Sequence, residues 1–134
     1  MQNAIRVAII HRNRLFREGL AFVLSQQRGI TVVTCSDGSG DALAEIGRLC
    51  PDVIILDLMM PAVSGWEFHA AARKLPGISR IPILVLSAFI DDRQATWFGV
   101  RPEDCILKPF VLETLLEAVS RHCGPPTQAE RKKT

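Results

Sequence analysis

The stretch Val53-Ile54-Ile55-Leu56-Asp57-Leu58-Met59-Met60-Pro61 constrains the fold more than any other. Four consecutive apolar residues run straight into a carboxylate, and a Met-Pro stop follows. So short an unbroken apolar run suits a strand covered on both faces, the central position of a parallel sheet. Asp57 then stands at the strand's carboxyl end, where open α/β sheets hold their ligand sites.

The flanking sequence supplies the partners of that strand. Ile5 to Ile10 reads as a first strand, and Phe16, Leu20, Val23 and Leu24 mark one face of a helix that Gly29 stops. Ile30 to Cys35 is β-branched and reads as the second strand. Leu43, Ile46, Gly47 and Cys50 trace a second helix ended by Pro51. Ser64 and Glu67 have capping-box spacing for a third, with Phe68, Ala71, Ala72 and Leu75 on its inner face. Ile83 to Leu86 is the fourth strand, ending at Ser87. Asp91 or Asp92 caps a short fourth helix through Trp97, closed by Gly99. Cys105 to Leu107 is the fifth strand, ending at Lys108-Pro109. Leu112, Leu115, Leu116 and Val119 mark the last helix, which Gly124-Pro125 closes. Five strands alternating with five helices predict a doubly wound parallel sheet of the flavodoxin-like kind, with strand order 2-1-3-4-5. The division expected is one domain over residues 1–123 and a linker or disordered tail over 124–134.

Composition excludes several classes. The formal charge of +2 comes entirely from the tail, where Arg131, Lys132 and Lys133 stand against Glu130. The neutral body offers no electrostatic footprint for nucleic acid. No apolar run approaches membrane-spanning length, and the opening residues read directly into a strand with no signal peptide. A cytoplasmic location is expected. Cys35, Cys50, Cys105 and Cys123 show no metal-ligand spacing, and are expected as buried small hydrophobes in a reducing compartment.

Asp57, Ser87 and Lys108 each end a strand. Alone, each is what strand ends carry; jointly they offer an oxygen nucleophile, a hydroxyl for a phosphoryl oxygen and a positive charge against a developing anion. Asp57-x-x-Met60-Pro61-x-x-Ser64-Gly65 and Lys108-Pro109-Phe110 resemble response-regulator receiver domains, and the resemblance runs from residue 5 to about 122. It implies that Asp57 is the phosphoacceptor, Ser87 the switch hydroxyl and Lys108 the phosphoryl-contacting lysine, with a cis peptide before Pro109. Leu15-Phe16-Arg17-Glu18-Gly19-Leu20 is most similar to receivers fused to helix-turn-helix output domains.

Two positions depart from that pattern. Receivers carry two adjacent acids after the first strand, which hold Mg²⁺ with the phosphoacceptor; His11 and Arg12 occupy those places. With His11 neutral, Asp57, Lys108 and Arg12 give the pocket a formal +1, a poor environment for a hard cation that seeks carboxylates. Arg12 is expected to pair with Asp57 across adjacent strands. Receivers also carry an aromatic residue where Cys105 stands. The expectation is therefore an atypical, non-enzymatic signalling module, without a resident metal or cofactor and with weak or absent Mg²⁺ binding. It would act by contact with a sensor histidine kinase or another signalling protein, without touching nucleic acid or membrane itself. Self-association or a partner contact through the fourth helix, fifth strand and fifth helix is expected, with Trp97 and Val111 as candidate exposed residues on that face. Trp66, Trp97 and Phe98 are candidates for a partner surface and His69 for solvent exposure.

Competing readings are a working phosphoacceptor at Asp57 that governs a transcription output, a haloacid-dehalogenase-type phosphatase and a flavodoxin-like cofactor binder. Met59 occupies the place of the second acid that the phosphatase needs. No Gly-rich phosphate loop follows the first strand to serve the cofactor binder.

Overall fold

A computed structural model describes residues 4–58, 65–88, 93 and 99–124. Its strands are β1 (Ile5–Ile10), β2 (Ile30–Ser36), β3 (Val53–Asp57), β4 (Ile83–Ser87) and β5 (Cys105–Leu107). Its helices are α1 (Arg14–Ser25), α2 (Ala42–Leu49), α3 (Gly65–Lys74) and α4 (Leu112–Cys123), with a 3₁₀ turn at Pro102–Asp104. The strands form one parallel sheet in the order β2-β1-β3-β4-β5, as the sequence predicts. The expected fourth helix lies almost wholly outside the described residues, as does Ser64, the expected cap of α3. Among the described residues, no helix is long and apolar enough to cross a membrane.

Alternation along the strands divides the core in two. Val7, Ile9, Val53, Ile55, Leu84 and Leu86 face one side, where Leu20 and Leu24 of α1 and Leu115, Ala118 and Val119 of α4 cover them. Ala8, Ile10, Ile54, Leu56, Ile83 and Val85 face the other, under Ala42 and Ile46 of α2 and Phe68 and Ala72 of α3. Every residue of β3 is buried, which its continuous apolar run requires.

Side chains close the ends that the backbone leaves open. Asn13 caps α1 by accepting from the Phe16 N–H at 2.9 Å. Cys50 ends α2 in the left-handed region at φ 49°. The Arg6 guanidinium reaches the orphan carbonyls of Leu49 at 2.6 Å and Cys50 at 2.9 Å.

Some expectations fail on orientation. The buried stripe of α3 is Gly65, Trp66, Phe68, His69 and Ala72, rotated from the expected Phe68, Ala71, Ala72 and Leu75. Leu75 lies beyond the helix and is exposed. His69 is therefore buried rather than exposed, set edge-to-face with a likewise buried Trp66 at 6.0 Å. Burial, with the Arg73 charge adding, lowers the His69 imidazole to about 4. The rotation follows from Gly65: a Cβ there would lie 2.4 Å from the Leu58 Cα and 2.7 Å from the Asp57 carbonyl oxygen. Only glycine lets α3 start this close to the end of β3. The cysteines are all free, but Cys35 and Cys50 are exposed and Cys105 and Cys123 half-buried, against the expectation of burial. Cys35 lies on an edge strand and Cys50 at a helix end, where no second layer covers them.

Two glycine substitutions should move stability in opposite directions. Gly65→Ala forces backbone apart and is expected to cost about 2 kcal/mol or more. Gly19→Ala, in the interior of α1 with open space around it, is expected to gain ~0.5–1 kcal/mol. Urea unfolding of dilute protein measures both; equal effects would mean that the close approach at Gly65 does not constrain α3.

Candidate functional site

The site occupies the carboxyl edge of the sheet. Asp57 closes β3, and its neighbours in register bring the other groups beside it. Ile10 pairs with Leu56, which sets His11, the next residue of that chain segment, alongside Asp57. Asp57 itself pairs with Leu86, one residue before the buried Ser87. Ser87 pairs with Leu107, and the Lys108 N–H donates to the Ser87 carbonyl at 2.7 Å. The peptide between Lys108 and Pro109 is cis, as the resemblance implies.

The Asp57 side chain is 1% exposed, and the Lys108 ammonium holds its Oδ1 at 2.8 Å. A carboxylate so buried requires a partner, and this ion pair supplies it. His11, also buried, sets Nε2 3.7 Å from Asp57 Oδ2 and 3.2 Å from Lys108 Nζ. The Asn13 N–H donates to His11 Nδ1 at 3.1 Å, so the neutral ring carries its proton on Nε2, which stands beyond hydrogen-bond reach of the carboxylate. The ammonium bonds the carboxylate, and the imidazole stands beside that pair, closer to the Lys108 Nζ than to the carboxylate. Burial, then the Lys108, Arg17 and Arg12 charges, outweighs the pull of Asp57 and lowers the His11 imidazole to about 4.

An aromatic wall backs this cluster, and the sequence reading did not find it. Phe16 stacks on His11 with centroids 4.4 Å apart and an interplanar angle of 21°. Lys108 Nζ lies 5.1 Å from the centre of the same ring, a cation–π distance. Phe110 meets Phe16 edge-on at 6.4 Å. The Arg17 guanidinium donates to the His11 carbonyl at 2.7 Å and fixes the turn that carries the imidazole. The available signal was the position of Phe16 in the first turn after the strand end; helical periodicity assigned it to the core instead.

Asp57, Ser87 and Lys108 therefore meet at one edge as expected, and His11 joins them. Arg12 does not. Its side chain is exposed, and the ion-pair partners of Asp57 among the described residues are Lys108 and, only if protonated, His11. The chain bends outward at Arg12 to reach the Asn13 cap, so the residue before it fills the pocket. Without Arg12 the pocket holds one ammonium and one carboxylate, a formal zero instead of +1. Cys105 sits half-buried on β5 opposite Val85. Trp97 and Phe98 lie outside the described residues, while Val111 is 61% exposed.

The two buried imidazoles make stability depend on pH. Both fold with values near 4, below the ordinary 6.5, so the unfolded chain takes protons first as pH falls. Stability should hold above pH ~6.5 and fall between ~6.5 and ~4, by a few kcal/mol in all. Urea midpoints measured at pH 7 and pH 5 should differ in wild type and much less in His11→Gln/His69→Gln. An equal fall in both would assign the loss to other groups.

Comparison with known proteins agrees with this geometry. The response regulator receiver domain family matches residues 7–120. The response regulator MprA of Mycobacterium tuberculosis is 35% identical over 133 residues, covering 95% of this chain and 55% of that protein. The transcriptional regulatory protein DegU of Brevibacillus brevis is 34% identical over 122 residues, 88% of this chain and 50% of its own length. The chain thus spans about half the length of these two relatives. The solved chemotaxis protein CheY4 of Vibrio cholerae superposes with a TM-score of 0.77 at 30% identity, over 89% of this chain and 98% of that one. With its sheet order, its strand-end Asp57 and Lys108 and a family match over most of its length, the chain belongs to the response regulator receiver domain family.

Proposed function

We propose that this receiver signals through protein contacts with Asp57 held in a fixed, metal-free clasp, independently of Mg²⁺-assisted phosphorylation. One observation carries the reading: the buried Asp57 carboxylate is bonded to Lys108 at 2.8 Å and flanked by the buried His11 imidazole at 3.7 Å. Mg²⁺ needs several oxygen ligands. Here the carboxylate is bonded by an ammonium and flanked by an imidazole, and neither is an oxygen ligand. Among the described residues, no three His, Cys, Asp or Glu side chains gather where they could hold a metal. The donor set does not fit the ion. Phosphoryl transfer in turn depends on positioning and charge neutralisation around the transferred group. Lys108 supplies one positive charge, but it is already committed to Asp57.

Asp57, Ser87 and Lys108 lie together at one edge of the sheet, and this supports a second reading in which Asp57 accepts a phosphoryl group slowly. In both readings a sensor histidine kinase or another signalling protein is the partner. The likeness to DegU, a transcriptional regulatory protein, supports a setting in transcription control.

Titration with Mg²⁺, followed by amide NMR shifts, should show no saturable change localised around Asp57 at low millimolar metal. Intact-mass spectrometry after incubation with acetyl phosphate and Mg²⁺ should show little added phosphate. Fast, stoichiometric labelling that disappears in Asp57→Asn would overturn the proposal in favour of the phosphoacceptor reading.

The combined change His11→Asp, Arg12→Asp removes the imidazole and adds two carboxylates. It is expected to create Mg²⁺ binding in the low millimolar range and to accelerate labelling at least tenfold. A folded variant that gains neither would show that the missing acid pair is not what silences the site.

A further inference from the structure

Phe16, Gly19 and Val23 of α1 fall at i, i+3 and i+7, a second stripe beside Leu20 and Leu24, which enter the core. Phe16 and Val23 stay 36% and 39% exposed. They wall one side of a groove of about 640 Å³, with Pro109, Phe110 and Leu112 on the other. Small-molecule sites run to roughly 300–1,000 Å³ and are mostly apolar, with a few placed polar groups. From Phe16 to Val23 the groove follows α1 for about 10 Å, the reach of one small molecule. Gly19 lies in the middle of this wall, and a Cβ there would meet nothing within 4 Å. No contact inside the chain calls for glycine at this unfavourable helix-interior position. Its missing side chain leaves the groove open.

The groove has one charged end. Ala88 and Lys108, the residues after β4 and β5, line it at the carboxyl edge of the sheet. Among the described residues, Lys108 is its one charged lining group. An ammonium has three donors. Lys108 gives one to Asp57 Oδ1 at 2.8 Å. His11 Nε2, at 3.2 Å, already carries the ring proton and offers the ammonium no lone pair. The Phe16 ring, its centre 5.1 Å away, offers only its face. Donor capacity is therefore left for an oxygen arriving along the groove. The surroundings favour an anion there. Lys108, Arg17 and Arg12 bear on the His11 ring against the single carboxylate of Asp57, three cations to one anion. Between apolar walls a charge-assisted bond gains strength.

We infer that the α1–α4 groove binds a small apolar molecule with one anionic head, such as a medium-chain or aryl carboxylate, its tail between Phe16 and Phe110 and its head on Lys108. The head draws on the same ammonium that holds Asp57, so an occupant and the clasp answer to each other through Lys108. The site itself needs only the position of Lys108, whatever use Asp57 is put to.

Amide NMR titration of the 134-residue chain with octanoate tests the inference. It is run without Mg²⁺ or phosphodonor, so its outcome is separate from the fate of the Asp57 reading. Octanoate should give saturable shifts centred on Phe16, Gly19, Lys108 and Phe110. Octanol, which lacks the charge, should bind about tenfold more weakly or worse, and octylamine more weakly still. Gly19→Leu places a side chain in the open space of the groove and should weaken octanoate by about tenfold or more. Val23→Glu adds a carboxylate to the wall and should weaken octanoate more than octanol. Both positions are exposed on α1, and far-UV circular dichroism checks that the variants stay folded. Absence of saturable shifts in wild type overturns the inference. Octanol or octylamine binding as tightly as octanoate overturns the anionic head, and undiminished binding by Gly19→Leu overturns the location.

Discussion

The burial of β3 on both faces is the constraint on which the rest of the structure depends. Its backbone groups are engaged by β1 and β4, and its side chains are covered by α1 and α4 on one side and α2 and α3 on the other. Polar chemistry is left only the strand's carboxyl end, where the last residue can emerge without entering either apolar layer. Asp57 takes that position, and its burial then dictates its surroundings. An ionised carboxylate away from water must be matched by charge and hydrogen bonds, and Lys108, two strands away, provides them.

His11 sets the electrostatic character of the ground beside Asp57. A carboxylate in its place would add negative charge beside Asp57 and invite a cation to offset it. A neutral imidazole adds no such charge. The tautomer is fixed from behind by the Asn13 N–H, the ring plane by Phe16, and the backbone by Arg17. Each support comes from the turn into α1, so the start of this helix and the state of the pocket form one structural unit. Phe16 is the shared part, lying against His11 and beneath Lys108 on one side and lining the α1–α4 groove on the other.

Sequence periodicity identified the elements well and their rotation less well. In α3 the apolar positions Phe68, Ala71, Ala72 and Leu75 form an acceptable helical stripe, yet the helix buries Gly65, His69 and Trp66 together with Phe68 and Ala72. The close approach of Gly65 to Leu58 and the Asp57 carbonyl fixes the angle at which α3 packs, and no count of apolar residues within the helix contains that contact. The same limit applies to α1, where Phe16 and Val23 match the core period but line a groove.

The sequence by itself determined the succession of strands and helices, the sheet order and the meeting of Asp57, Ser87 and Lys108 at one edge. Continuous apolar runs, helical spacing and short connections leave a parallel α/β chain few other arrangements. Only the tertiary structure decided which of two neighbouring residues, His11 or Arg12, enters the pocket. It also decided that His69 is buried, that Cys35 and Cys50 are exposed, and that α1 keeps a second apolar stripe uncovered. The physical reason is common to all four. Pattern records what each residue is, whereas its direction and cover depend on groups that crossover connections bring from distant parts of the chain.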